Sequence, residues 1–259
     1  QIVECAKKQG SPAVAITDHG VLYGAIDFFK ICRTAGIKPI VGCEIYVAPR
    51  SRFDKESGID TKPYHMILLA KSYEGYKNLL QLVTKAHLEG FYYKPRVDEG
   101  LLKVYSKDLI ALSGCLASET SRSILEKDDE NTAAVIRKYQ KIFGAENYYL
   151  EIQDHPLIEN QSVVNKKLIE LSRKLDVPLV ATCDSHYVYN DDHEAHDLLL
   201  CIQTQTNVSD EERMKLDGDF SMRSPEEMME VFQETPDAIT NTLKIAEQCN
   251  IEIPLGMDL

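Results

Sequence analysis

The chain has 259 residues, 44% of them hydrophobic and 27% charged, which is ordinary for a soluble globular protein with room for a proper core. A formal net charge of −12 argues against sequence-independent duplex binding, because a polyanion is repelled on average. No apolar run reaches membrane-spanning length, and the seven scattered cysteines, with no C-x-x-C pair, fit reduced thiols in a cytoplasm.

The sequence opens on Gln1 without a basic, apolar leader and enters a helical pattern at once, so it reads as a piece of something longer. Short β-type runs follow at Ala13–Thr17, Pro39–Val47, Met66–Ala70, Leu109–Leu112, Tyr148–Ile152 and Leu179–Thr182. Helical periodicity falls at Leu22–Ala35, Tyr73–Leu88 and Thr132–Ile142, and on the face carrying Val164, Leu168, Leu171 and Leu175. Arg50–Lys62 is polar and aperiodic, which predicts a loop. Strands alternating with helices predict a parallel sheet, and continuous apolar runs predict strands covered on both faces. The expected architecture is an α/β barrel of the TIM type or a distorted relative, over residues 1–234. Ser224-Pro225-Glu226-Glu227 supplies a capping box, and Thr235-Pro236 opens a helix with Ile239, Leu243 and Ala246 as its buried face. These two helices read as an appendage, with 235–259 as helix and linker.

In an α/β barrel the functional side chains sit where strands finish. Ala13–Thr17 is followed by Asp18-His19-Gly20, and Pro39–Val41 leads to Glu44. Leu109–Leu112 is followed by Ser113-Gly114-Cys115, and Leu179–Thr182 by Asp184 and His186. Imidazole, thiolate and carboxylate donors suit zinc, and mixed His and carboxylate sets suit manganese or iron as well. Crowded without a cation, such groups raise one another's pKa. Taken singly each has a plainer reading: His19 a helix-start hydrogen bonder, Glu44 a half-exposed edge residue, Cys115 core packing. Together on one rim they predict a metal cluster, with Asp184 and His186 sharing a face of a nearly extended stretch. His193-Glu194-Ala195-His196 has its histidines three apart, not four, and is not the zinc-protease motif; His196-Asp197 is expected behind the ligands and His155 at the border of the cleft. His87 reads as surface. Phe91-Tyr92-Tyr93-Lys94-Pro95-Arg96 is an aromatic-basic cluster, but as a signal for base stacking it is thin.

The stretches AVAITDHGVLYGAIDFFKICRTAGIKPIVGCEIYV, YHMILLAKSYEGYKNLLQLVTKAHLEGFYYKPRVD, LIALSGCLASE and PLVATCDSHYVYNDDHEAHDLLLCIQT resemble the PHP (polymerase and histidinol phosphatase) domain of bacterial DNA polymerase III alpha subunits, as do RSPEEMMEVF and TLKIAEQCNIEI. The resemblance implies a distorted (βα)7 barrel with a cluster of up to three divalent ions, Zn2+ or Mn2+, and Mg2+ in a polymerase domain outside this sequence. It carries metal-ligand positions to His19, Glu44, His65, Cys115, Asp184 and His186, with Glu44, Asp184 and His186 also placed in catalysis. His65 enters only through the resemblance, on condition that its strand pairs antiparallel with the Glu44 strand. The family's first strand, with an H-x-H pair, and a further acidic ligand have no counterpart here, so two sheet edges should be left unpaired. The implied activity is 3′–5′ exonuclease proofreading within a DNA-directed DNA polymerase in the cytoplasm. The implied partners are the 3′ end of single-stranded DNA, the remaining alpha chain and replisome subunits, with no membrane. Arg96 is the residue expected to meet a phosphate. The competing expectations are a metal-braced structural module without catalysis and a stand-alone phosphoesterase.

Overall fold

The computed structural model describes residues 1–256; the end of the 235–259 segment, positions 257–259, lies outside them. The strands are β1 (Ala13–Ile16), β2 (Lys38–Val47), β3 (Tyr64–Ala70), β4 (Arg96–Val97), β5 (Leu109–Leu112), β6 (Tyr148–Gln153) and β7 (Leu179–Thr182). The helices are α1 (Ile2–Lys8), α2 (Ala25–Ala35), α3 (Tyr73–Leu88), α4 (Glu99–Tyr105), α5 (Glu119–Leu125), α6 (Asp129–Phe143), α7 (Gln161–Leu175), α8 (His193–Thr204), α9 (Pro225–Val231) and α10 (Pro236–Gln248). Local chemistry sets several starts. Ser72 Oγ accepts from Gly75 N–H at the head of α3, and Ser224 and Glu227 exchange side-chain and backbone bonds at the head of α9.

The strands form one curled sheet, a half-barrel in the order β1-β2-β3-β5-β6-β7, and the chain has the α/β fold of a distorted TIM-like barrel. β1–β2, β5–β6 and β6–β7 are parallel, while β3 runs antiparallel to both β2 and β5. The two-residue β4 pairs with Tyr46 and Val47, taking over the edge of β2 beyond the end of β1. Among the described residues β1 pairs only with β2 and β7 only with β6, so the sheet has two open ends.

Alternation along the strands divides the side chains into two cores. Val41, Cys43, Leu68, Ala111, Leu150 and Ala181 face the surrounding helices and pack on Leu79, Leu82, Leu102, Ile136 and Leu168. Ile40, Leu69, Ile110, Leu112, Tyr149 and Val180 face inward and pack on Ile245, Ala246 and Cys249, at the end of α10. The helix expected as an appendage is therefore the floor of the half-barrel. Its buried residues are Ala238, Asn241, Ile245 and Ala246, while Leu243 is 51% exposed, which corrects the face read from the sequence. Asn241 Nδ2 donates to the Leu179 carbonyl at 2.7 Å, satisfying part of the open β7 edge.

Between β1 and β7 lies an open cleft of about 1330 Å³. Ile40, Leu69, Leu112, Val180 and Ile245 form its apolar depth, and His19, Glu44, Glu151, Asp184, His186 and His196 its polar mouth. If α10 is integral, truncating Ile245 in this floor lowers stability as a core cavity does. Ile245→Ala should cost about 2–5 kcal/mol in a denaturant titration, and a loss under 1 kcal/mol would show a peripheral helix.

Candidate metal centre

Glu44 is the meeting point of three segments. Pairing of β1 with β2 continues past the end of β1: Glu44 N–H donates to Asp18 O at 3.0 Å and Gly20 N–H to Glu44 O at 2.8 Å. His19 is thereby the bridge partner of Glu44, and its Nε2 lies 3.4 Å from Glu44 Oε1. On the other side the antiparallel register pairs Tyr46 with His65 and Glu44 with Ile67, so β3 begins at the rim where β2 leaves it. His65 Nδ1 lies 2.6 Å from Glu44 Oε1.

Cys115 follows β5, and its Sγ comes within 3.7 Å of His65 Nδ1. Gly114 makes this approach possible: φ is +91°, and a Cβ there would lie 2.7 Å from the His65 carbonyl oxygen. Glu44, His65 and Cys115 each offer a donor atom, all within 4.8 Å of one another. The stretch after β7 is not extended as the sequence suggested. Asp184 takes φ +49°, a left-handed conformation costly for a residue with a side chain, and turns the chain there. His186 Nδ1–H donates to the Asp184 carbonyl at 2.7 Å, which leaves Nε2 free as a lone-pair donor. The His186 ring lies 5.7 Å from the His19 ring. All six sequence-expected donors thus stand around one mouth of the half-barrel.

The PHP domain family pattern matches residues 1–155, more than half of the chain. The chain belongs to the PHP domain family. It is 46% identical over 256 residues to DNA polymerase III subunit alpha of Treponema pallidum (strain Nichols), covering 98% of this chain and 22% of that protein. To the subunit of the same name in Borreliella burgdorferi it is 45% identical over 251 residues, 96% of this chain and 22% of that one. To that of Thermus aquaticus it is 43% identical over 251 residues, 95% and 20% respectively. The chain spans about a fifth of the length of these relatives.

The electrostatics of this PHP mouth suit a cation. Burial raises the Glu44 carboxyl, but the hydrogen bond from His65 and the neighbouring His19 and His186 outweigh it, holding the group below its ordinary value. Burial, set against His186 and joined by Glu44, raises Asp184. Burial, Glu44 and Asp184 push the Cys115 thiol well up. A buried set of carboxylate, imidazole and thiol donors fits a divalent ion, whose charge would bring Asp184 and Cys115 down and hold Glu44 lower still.

One neighbour escaped the sequence reading. Glu151, on the inward face of β6, is fully buried, and its carboxylate accepts from Gly114 N–H at 3.1 Å, from Gln153 Nε2 at 3.1 Å and from Thr182 Oγ1 at 2.5 Å. It ties the loop before Cys115 to the strand before Asp184. Burial raises it to about 7, against the Thr182 bond and with help from Asp184. The signal was present, an acid inside the apolar run Tyr148–Ile152, the same signal that marked Glu44. His196 lies 5.7 Å from His186, ring to ring, and lines the cleft, while Asp197 turns away to pair with Arg213. His155 does not line the cleft: it is 2% exposed, stacked at 4.1 Å on Phe220, with neither ring nitrogen hydrogen-bonded. His87 is exposed as expected, though its Nε2 lies 2.9 Å from the Gly20 carbonyl.

Arg96 is a correction. Its side chain is completely buried, and its guanidinium donates to the carbonyls of Gly90, Asp60, Arg52 and Asp54 at 2.8–3.1 Å. Its donors are spent on backbone, joining the Arg50–Lys62 loop to the loop before β4, and none faces the cleft.

Glu151 also sets a pH dependence. The folded protein holds its proton more tightly than the unfolded chain, from the ordinary value of 4.5 up to about 7. Metal-free stability should therefore fall as pH rises through that window. Glu151→Gln, which keeps an acceptor for Gly114, should flatten the fall in chemical denaturation at pH 4.5–7.5; an unchanged slope would remove Glu151 as its source.

Proposed function

We propose that this chain is the PHP module of a replicative DNA polymerase III alpha chain and hydrolyses the terminal phosphodiester at the 3′ end of a nucleic-acid strand. The observation that carries the reading is the convergence of six donors around Glu44 at the mouth of an open cleft. His19, Glu44, His65, Cys115, Asp184 and His186 would hold a divalent cluster, zinc or manganese, of up to three ions with the family's remaining donors supplied. When bound, such ions offset charge developing on the phosphate and the departing oxygen.

The chain's own groups do the rest. His186, oriented by the Asp184 carbonyl, presents Nε2 to the mouth, and Glu44 keeps a negative charge between two imidazoles. Asp184, in the mouth beside His186, accepts the proton of the attacking water. The water oxygen bonds to phosphorus, the bond to the 3′ oxygen of the preceding nucleotide breaks, and a nucleoside 5′-monophosphate leaves. A net charge of −12 repels such a substrate at long range, so attraction must be local to the cation site. Polymerisation belongs to the larger share of the relatives' length that this chain does not span. The remaining alpha chain, replisome subunits and DNA are its proposed partners, and the bacterial cytoplasm its compartment. Among the described residues no helix is long and apolar enough to cross a membrane.

The test is Asp184→Asn in the full-length chain. Loss of 3′ hydrolysis of single-stranded DNA by a factor of 100 or more, with polymerisation intact, is the expected result. Unchanged hydrolysis would overturn the assignment. Loss of hydrolysis, polymerisation and folding together would favour a bracing role for the site.

A further inference from the structure

We propose that the outward rings of Phe91 and Tyr93, with Lys94, form a stacking platform for the single strand whose 3′ end reaches the metal centre. The proposal rests on the nuclease reading above and names the part of the substrate that the donor cluster itself does not hold. Phe91 is 51% exposed and Tyr93 69% exposed, on a turn that Tyr92 N–H closes by donating to the Lys94 carbonyl at 3.1 Å. Tyr93 has φ +60°, an outlier for a residue carrying a ring. The surroundings enforce that strain. The Tyr92 ring lies under the Arg96 guanidinium at 5.3 Å and meets the Tyr93 ring edge-on at 4.8 Å. Arg96 is in turn pinned by its four backbone carbonyls. A buried arginine thus backs the Tyr92 ring against which Tyr93 rests, and His87 lies beside Phe91.

The turn also leads toward the cluster. Lys94 Nζ stands 5.4 Å from the centre of the Tyr46 ring, whose edge meets His65 at 5.1 Å. Pro95 packs against Gly20, beside His19, and His87 joins the two loops, near the Gly20 carbonyl by its Nε2 and 6.3 Å from the Phe91 ring. In a chain of net charge −12, Lys94 is exposed and forms no ion pair among the described residues. Two exposed rings beside an ammonium without a carboxylate partner suit the bases and a phosphate of a single strand, and stacking of this kind accepts any base.

The experiment uses the full-length chain and single-stranded DNA oligonucleotides carrying 5-iodouracil near the 3′ end, photolysed in EDTA so that no hydrolysis competes. Peptide mapping should place crosslinks on Phe91 or Tyr93. Replacing both by Ala leaves the buried Arg96 network in place, and should abolish those crosslinks and raise KM for 3′ hydrolysis of single-stranded DNA about tenfold or more. Crosslinks confined to other segments, or an unchanged KM in the double variant, would overturn the platform. Crosslinks at Phe91 or Tyr93 in a protein that hydrolyses nothing would uphold it while removing the nuclease reading.

Discussion

Burying a carboxylate is expensive unless positive charge or hydrogen-bond donors come with it. Glu44 is 6% exposed and keeps its charge because His65 and His19 converge on one of its oxygens. That convergence is produced by backbone pairing on both sides of β2: a parallel extension from β1 and an antiparallel register with β3. The Cys115 loop then closes on His65, made possible by a glycine that leaves its carbonyl room. Glu151 is the instructive contrast. It lies on the same inward side of the sheet, fully buried, but its partners are an amide, a hydroxyl and a backbone N–H, so it holds a proton toward neutral pH.

The half-barrel uses one surface for two purposes. Inward side chains are apolar at the α10 end and polar at the other, and in three strands the change comes within one or two inward positions: Ile40 to Glu44, Tyr149 to Glu151, Val180 to Thr182. The apolar end packs on α10, and the polar ends line the mouth of the cleft. The open ends at β1 and β7 are both cost and access, since unpaired strand edges invite association while the gap admits solvent to the mouth.

Much of this was legible in the sequence because apolar runs ended at donor side chains. Six of the seven strands follow from short apolar runs, and the spans of α3, α6 and α7 from helical periodicity. β4 did not, since a two-residue strand has no period. The antiparallel turn of β3, which gives His65 its place, is tertiary and entered only through the family resemblance. Side-chain alternation says nothing about a left-handed residue, so an extended reading fails at Asp184. Arg96 was assigned to phosphate because a basic residue beside aromatics looks solvent-facing, and only the enclosing loops show that its donors are consumed. Leu243 and the floor role of α10 were missed for a related reason: which helix face is buried depends on what it packs against.

The proposed cation site draws on Glu44, His65 and Cys115, whose donor atoms all lie within 4.8 Å of one another. X-ray absorption at the zinc edge of the loaded protein reads that directly. A sulfur shell at about 2.3 Å beside nitrogen and oxygen at about 2.0–2.1 Å, with the sulfur lost in Cys115→Ser, is the expected spectrum. A spectrum with nitrogen and oxygen alone, unchanged by that substitution, would contradict it.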